Sequence, residues 1–433
     1  MTARMPRRKE TSGAQQREPR VRRTGRTAGG KVEPLYPRQK RNVRGWWNLI
    51  FEAVPCVGKE QWKRNQRRMN GYVFWVTVIL VLFGLAMVYS TTSFAGDDPL
   101  SGVKKQAVFA LVGLGAMLLL SRLDYHRLLC LSWCQLYALS TFLLVATLAF
   151  GRSSHGRTRW IRLGPVSFQP SELMKTALVL FFAVYLVNYY RRLSEGPGRV
   201  FRMMAVFGGI PAVLIALQNL STGLLLGAMV FLITLLGVKD NRMHLGLAIA
   251  GALLFFLAVH YYKKVPFLHP YQIARIESWL NPDANANGSG FQVRLGKYAI
   301  SAGGWFGAGF GRGVVKQNGL PEPSTDFIFP VIGEELGMVG MSVLILLYAM
   351  LLFCILRIAC HAPDRYGALL CGGVAVHILL HIVMHVAVVT GLMPNTGVTL
   401  PFISSGGTSL VSFMGEIGLV LAVSRGMRPE QLT

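Results

Sequence analysis

Ten apolar stretches dominate the chain and constrain its fold more than any other feature. They run at about 72–92, 105–121, 128–150, 172–189, 203–218, 220–238, 244–262, 327–357, 368–391 and 402–424. A helix needs roughly 20 mostly apolar residues to cross the hydrocarbon layer of a bilayer, and only helices or closed barrels satisfy their own backbone there. The expected fold is an all-α polytopic membrane protein with ten transmembrane helices. Gln218 and Asn219 separate two adjoining stretches and predict a tight turn between them.

Charge supports the same reading. Only 15% of the 433 residues are charged, against about 25% in soluble domains. The first 70 residues hold nineteen Lys and Arg and five acidic residues, more than half of the net +25. The rest is nearly stripped of charge, a poor fit to a water-soluble enzyme, a disordered protein or a DNA-binding domain. The domain plan is a basic tail (1–70), a membrane domain (71–425) and a short end (426–433). No apolar core followed by a cleavage site marks a signal peptide in the tail. Residues 2–44 are expected to be disordered, and Trp46, Trp47, Leu49, Ile50 and Phe51 suggest a short interfacial helix. The six cysteines show no metal-binding spacing and suit apolar packing.

Basic residues set orientation. With the tail inside and ten spans, both termini are cytoplasmic. The inner loops 122–127, 190–202, 239–242 and 357–365 then all carry Lys or Arg. Two outer segments depart from this pattern. Residues 151–171 cluster His155, Arg157, Arg159 and Arg162. Residues 263–326 form a large extracytoplasmic loop between helices seven and eight, with Trp279, Trp305, Phe306 and many glycines. Its aromatics argue for amphipathic or re-entrant pieces on the outer face rather than a plain linker.

Ionisable groups inside an apolar bundle are costly and are functional candidates. Glu172 and Lys175 are three residues apart at the start of the fourth span and share a face; an ion pair that merely holds the helix fits the same spacing. Asp326 stands where the outer loop enters the eighth span, where a helix cap is the plainer reading. Glu334 and Glu335 lie deeper and suit pairing with a cation or with backbone groups. Residues 394–409 combine two prolines, a Gly pair and many hydroxyls, which predicts non-helical backbone lining a cavity. His377, His381 and His385 recur every four residues, better suited to a polar packing stripe than to a shared metal ion. Together these residues describe a general base beside an anion site, reached by a phosphate-bearing lipid from the outer leaflet. A proton-coupled transporter is the rival reading, although no internal repeat supports it.

Several blocks also resemble the SEDS family (shape, elongation, division, sporulation). They are Arg159-Trp160, then Phe168-Gln169-Pro170-Ser171-Glu172 with Lys175, the glycines between Gly303 and Gly313, and Thr325-Asp326-Phe327. Gly333-Glu334-Glu335-Leu336-Gly337 and the run from Thr399 to Gly407 complete the set. The resemblance spans about 72–425. It implies a ten-helix inner-membrane glycosyltransferase that polymerises lipid II into β-1,4 glycan strands on the outer face. Asp326 would be the catalytic base, and Arg159, Glu172, Lys175, Ser404, Gly406 and Gly407 would bind substrate. The resemblance further implies a class B penicillin-binding protein as partner and, for division members, single-span regulators of the septum. Ile332-Gly333-Glu334-Glu335 and Ala422-Val423-Ser424-Arg425 lean towards the division branch over the elongation branch. A lipid II flippase or a scaffold without bond chemistry remains open. No cofactor or metal ligand set is legible, although a divalent cation on the pyrophosphate is compatible; no nucleic-acid partner is expected. The chain departs from the family pattern at 218–222, at Ser405, and at His381 and His385, which stand where the family usually has Gln and Asn.

Overall fold

The computed structural model describes residues 69–427 except 94–99, 151, 155–156, 164–165, 194–195, 239–240, 265–269, 282–288 and 318. The basic tail, its 46–51 cluster and residues 428–433 lie outside the described residues. Each of the ten apolar stretches contains a helix: α1 (Gly71–Thr92), α2 (Ser101–Arg122), α3 (Tyr125–Phe150), α4 (Pro170–Asn188), α5 (Pro197–Gln218), α6 (Leu220–Gly237) and α7 (Arg242–His260). After the shorter helices α8 (Pro270–Leu280) and α9 (Ser289–Gly303) come α10 (Ile328–Cys360), α11 (Arg365–Val389) and α12 (Gly407–Arg425). Eight of them are long and apolar enough to cross a membrane; α3 and α7 carry shorter apolar stretches, Trp133–Ala149 and Arg242–Leu257.

Packing follows from small residues and local backbone chemistry. α12 lies against α2 so closely that a Cβ on Gly418 would sit 2.7 Å from Met117 O; helices in lipid associate through such small-residue contacts. In α5 Pro211 lacks the N–H that would bond Phe207 O. Tyr137 Oη donates to that carbonyl at 3.0 Å instead, and residues Met204–Gly209 widen into a π-helical turn. Pro170 opens α4 at its first turn, and α4 then runs through the core with Met174, Leu178 and Phe182 fully buried. α7 is the opposite case, with Leu245, Ile249, Leu253, Leu254 and Phe256 all exposed as lipid-facing residues would be.

Two features differ from simple expectation. An antiparallel meander is formed by β1 (Arg152–Ser154), β2 (Arg157–Leu163) and β3 (Val166–Phe168). Clustered arginines drew attention there, but the β-branched and aromatic side chains of β2 support a strand. The last span begins at Gly407 rather than 402. Residues 400–404 are held in a turn, with Ile403 and Ser404 N–H both bonded to Leu400 O.

Candidate functional site

Asp326 occupies the turn just before α10 and is half-buried. Phe327, without a side-chain cap, takes the N-cap position, so Asp326 is not the helix cap. The segment 396–406 clasps this turn. Ser404 Oγ donates to Thr325 O at 2.6 Å, and Ser405 N donates to Ser324 O at 2.8 Å. Ser404 Oγ also accepts from Leu400 N at 2.9 Å. From the far side Gln106 of α2 donates to Ser404 O at 3.2 Å and accepts from Gly406 N at 3.3 Å. Gly397, at φ +68°, passes so near the Asp326 carboxylate that a Cβ there would lie 3.1 Å from Oδ2. Gly407 leaves no room for a side chain beside the Phe109 ring.

The clasp is strained. Among the described residues, Glu322 (φ 51°) and Phe402 (φ 65°) are the non-glycine positions with positive φ. One lies four residues before Asp326 and the other in the segment that clasps it. Such conformations cost on the order of 1–3 kcal/mol and persist where surrounding structure over-determines them. The surrounding contacts are visible: Tyr348 Oη donates to Pro401 O, and Thr325 and Phe327 N–H both bond Glu322 O.

Beneath the same segment lies a buried ionic layer. Lys175 Nζ contacts Glu172 Oε1 at 2.7 Å and His381 Nε2 at 2.9 Å. His381 Nδ1 lies 3.1 Å from Thr399 O. A carbonyl only accepts and an ammonium only donates, so the ring is fixed as the Nδ1–H form, bridging α4 to the clasp. His385 Nδ1 likewise reaches Val398 O at 2.8 Å. One turn away along α11, His377 Nδ1 is 2.9 Å from Glu416 Oε2, and Thr176 Oγ1 donates to Glu416 Oε1 at 2.7 Å. Among the described residues the Lys175 ammonium has these two partners, Glu172 and His381. Glu172 Oε2, Asn395 Oδ1 and Thr396 Oγ1 are buried without a hydrogen-bond partner among the described residues.

Glu334 and Glu335 are taken up by the Gly-rich segment, Lys316 and Ser90 of α1. Glu334 Oε1 accepts from Val314 N at 2.5 Å and Val315 N at 2.7 Å. Glu335 pairs with buried Lys316 and accepts from Ser90 Oγ at 2.6 Å and Gly311 N at 3.0 Å. They weld the Gly-rich segment to α10. At Gly337 (φ 67°, ψ −165°) the helix kinks. Met338 N and Val339 N turn to Gly304 O and Trp305 O, while Ala308 N and Gly309 N bond Glu334 O and Glu335 O. The N–H groups of Met338 and Val339 and the carbonyls of Glu334 and Glu335 freed by the kink are thus all paired.

The sequence-derived candidates thus divide. Asp326 and Ser404 meet at one turn, Ser404 by holding its backbone, whereas Gly406 bonds Gln106 and Gly407 packs on Phe109. Glu172 and Lys175 meet below it. Arg159 lies in β2, in the meander that leads into α4. His381 and Gln106 link these parts and were not singled out as site residues; the one legible signal was a polar side chain inside an apolar span. Each of His377, His381 and His385 has its own partner, and no three His, Cys, Asp or Glu side chains among the described residues converge on a common point.

At the opposite end, His126 Nε2 lies 2.8 Å from Asp364 Oδ2 and Nδ1 lies 3.1 Å from Asp124 Oδ1. Burial alone would lower the His126 pKa, but hydrogen bonds to Asp124 and Asp364 outweigh it and raise it to about 9. Asp364 is pushed below its ordinary value: burial opposes the shift, but bonds from His126, Tyr125 and Gly367 N–H prevail.

With this geometry in hand, comparison with known proteins is informative. The sequence matches the cell cycle protein family FtsW/RodA/SpoVE over residues 71–428. The chain belongs to this family. Stage V sporulation protein E of Bacillus subtilis (strain 168) is 36% identical over 82% of this chain and 96% of that protein. A probable peptidoglycan glycosyltransferase FtsW of Geobacter sp. (strain M18) is 34% identical over 84% and 99%. Among solved structures, a chain of a peptidoglycan synthase complex that coordinates polymerization and crosslinking superposes with TM-score 0.66 at 32% identity, covering 82% of this chain and 98% of that one. The rod shape determining protein RodA of Thermus thermophilus gives TM-score 0.60 at 27% identity, covering 83% and 98%. The family match covers the whole described bundle, from α1 to the end of α12.

Proposed function

We propose that this chain is a peptidoglycan glycosyltransferase that polymerises lipid II into β-1,4 glycan strands during division. Ten helices span the membrane, both termini face the cytoplasm, and the meander and the 263–326 loop stand on the outer face. The observation that carries the reading is one loop, 396–406, with the Asp326 carboxylate on one side and the Lys175 ammonium on the other, tied through Ser404 and through His381. The GlcNAc 4-hydroxyl of lipid II gives its proton to Asp326 and attacks the anomeric carbon of the growing chain. The new C–O bond forms as the bond to the lipid pyrophosphate breaks, with inversion. General base catalysis contributes about 10²–10⁴-fold to such a step. Lys175, steadied by Glu172, and Arg159 stabilise the leaving pyrophosphate. The likeness to a chain from a synthase complex supports a class B penicillin-binding protein as partner, and the FtsW relatives support work at the septum.

Polymerisation of labelled lipid II by the purified protein, with and without a co-expressed class B penicillin-binding protein, tests the reading. Glycan strands are expected, longer or faster with the partner. No polymer under either condition, with lipid II still bound, would point to translocation in place of bond chemistry.

A further inference from the structure

Two helices place the outer edge of the hydrocarbon layer at one height. α10 has 33 residues, well beyond the roughly 20 that cross the layer. Counting about 20 residues back from Arg357, the basic residue near its inner end, reaches Met338. On α1 the same count from its N-cap Asn70 reaches Ser90. Ser90 Oγ bonds both carboxylate oxygens of Glu335, at 2.6 and 2.7 Å, so the two counts end within one turn of each other. The first nine residues of α10 therefore stand above the hydrocarbon, among headgroups.

The tip of the Gly-rich segment is fixed at that height. Met338 N donates to Gly304 O at 2.9 Å and Val339 N to Trp305 O at 3.1 Å. Ala308 N returns to Glu334 O at 2.9 Å. The tip cannot slide along α10 without breaking these bonds. Its two aromatic side chains point outward, with Trp305 73% and Phe306 83% exposed. They adjoin Met338 and Val339, where the outward-facing apolar strip of α10 (Val343, Leu346, Met350, Phe353) begins. Phe310 and Val314, on the same segment, are exposed as well.

We infer that Trp305 and Phe306 form an interfacial anchor, seating the outer Gly-rich loop in phospholipid at the edge of the outer leaflet. Trp is enriched at this depth because its ring is apolar and its N–H polar. The contact is continuous with the lipid-facing strip of α10. The same segment leads within about 20 residues to Asp326, so the anchor sets the height at which that turn stands over the bilayer. The inference needs only the membrane position of α10 and the proposed orientation, not the proposed reaction.

Site-specific photocrosslinking tests it. Benzoylphenylalanine is placed at Phe306 in the full chain, purified alone and reconstituted into phosphatidylethanolamine–phosphatidylglycerol vesicles. Leu346, exposed in mid-span, and Glu322, exposed and polar in the outer loop, serve as references. Lipid adducts read by mass spectrometry are expected at Phe306 within about threefold of Leu346 and roughly tenfold above Glu322. If the Phe306 variant gives poor yield, the same label at Trp305 gives the same readout. Adducts no more abundant than at Glu322, or crosslinks to protein in place of lipid, would overturn the anchor.

Discussion

Asp326→Asn keeps the size and most of the hydrogen bonding of the side chain but cannot take a proton. Polymer formation should fall roughly 10²-fold or more, with lipid II binding and protein yield near normal. Lys175→Ala should differ, weakening binding as well as rate, because its charge meets the pyrophosphate before and during bond cleavage. A single-turnover assay beside a lipid II binding titration separates the two. His381 calls for a graded pair. Gln can both accept from Lys175 and donate to Thr399 O, so His381→Gln should keep most activity. His381→Leu strips Thr399 O of this bond and Lys175 of one of its two partners, at about 1–3 kcal/mol for a buried group left unsatisfied, and should lower activity at least roughly tenfold while the purified protein remains monodisperse. Equal loss in both variants would remove His381 from the link between cation and clasp.

At the scale of elements, the kink in α10 is the sharpest dependence on one residue. Gly337 has a backbone conformation open essentially to glycine alone, and a Cβ there would sit 2.4 Å from Gly307 N. Gly337→Ala should cost roughly 2–5 kcal/mol, seen as a lower midpoint in a thermal melt in detergent. The clasp between α3 and α11 gives a pH dependence. The folded His126 pKa is raised from 6.5 to about 9, so its stabilisation is full below about pH 6.5 and lost as pH rises through 9. At about 1.4 kcal/mol for each tenfold in proton affinity, it is worth on the order of 3 kcal/mol. Asp364, shifted down, acts in the opposite sense and loses its contribution only as pH falls through its lowered value. Melting midpoints measured from pH 7 to 10 should drop for the native chain, while His126→Gln should start lower and stay flat.

For the whole molecule, the testable quantity is sidedness. Reporter fusions should place Asn285 outside and Gly196 and Arg428 inside; a disagreement at any one breaks the ten-span arrangement. Much of this scale was legible in residues 72–424, because burying about 20 consecutive apolar residues in lipid is a local requirement that a stretch meets alone. The Gln218–Asn219 break and the Pro170 helix start were legible for the same reason, each being chemistry of adjacent residues; the irregular backbone expected over 394–409 holds only up to Gly406, where the last helix begins. The β-meander was not legible, since three short strands gain their hydrogen bonds only from one another. Nor could sequence show that Glu335 reaches Ser90 and Lys316, or that His381 joins Lys175 to Thr399. Those partners are 245, 19, 206 and 18 positions away. Sequence by itself determined a membrane bundle with an acid and a cation at the ends of two of its helices. Only the tertiary structure decided that one strained loop holds both, because what joins them is hydrogen bonds between segments far apart in the chain.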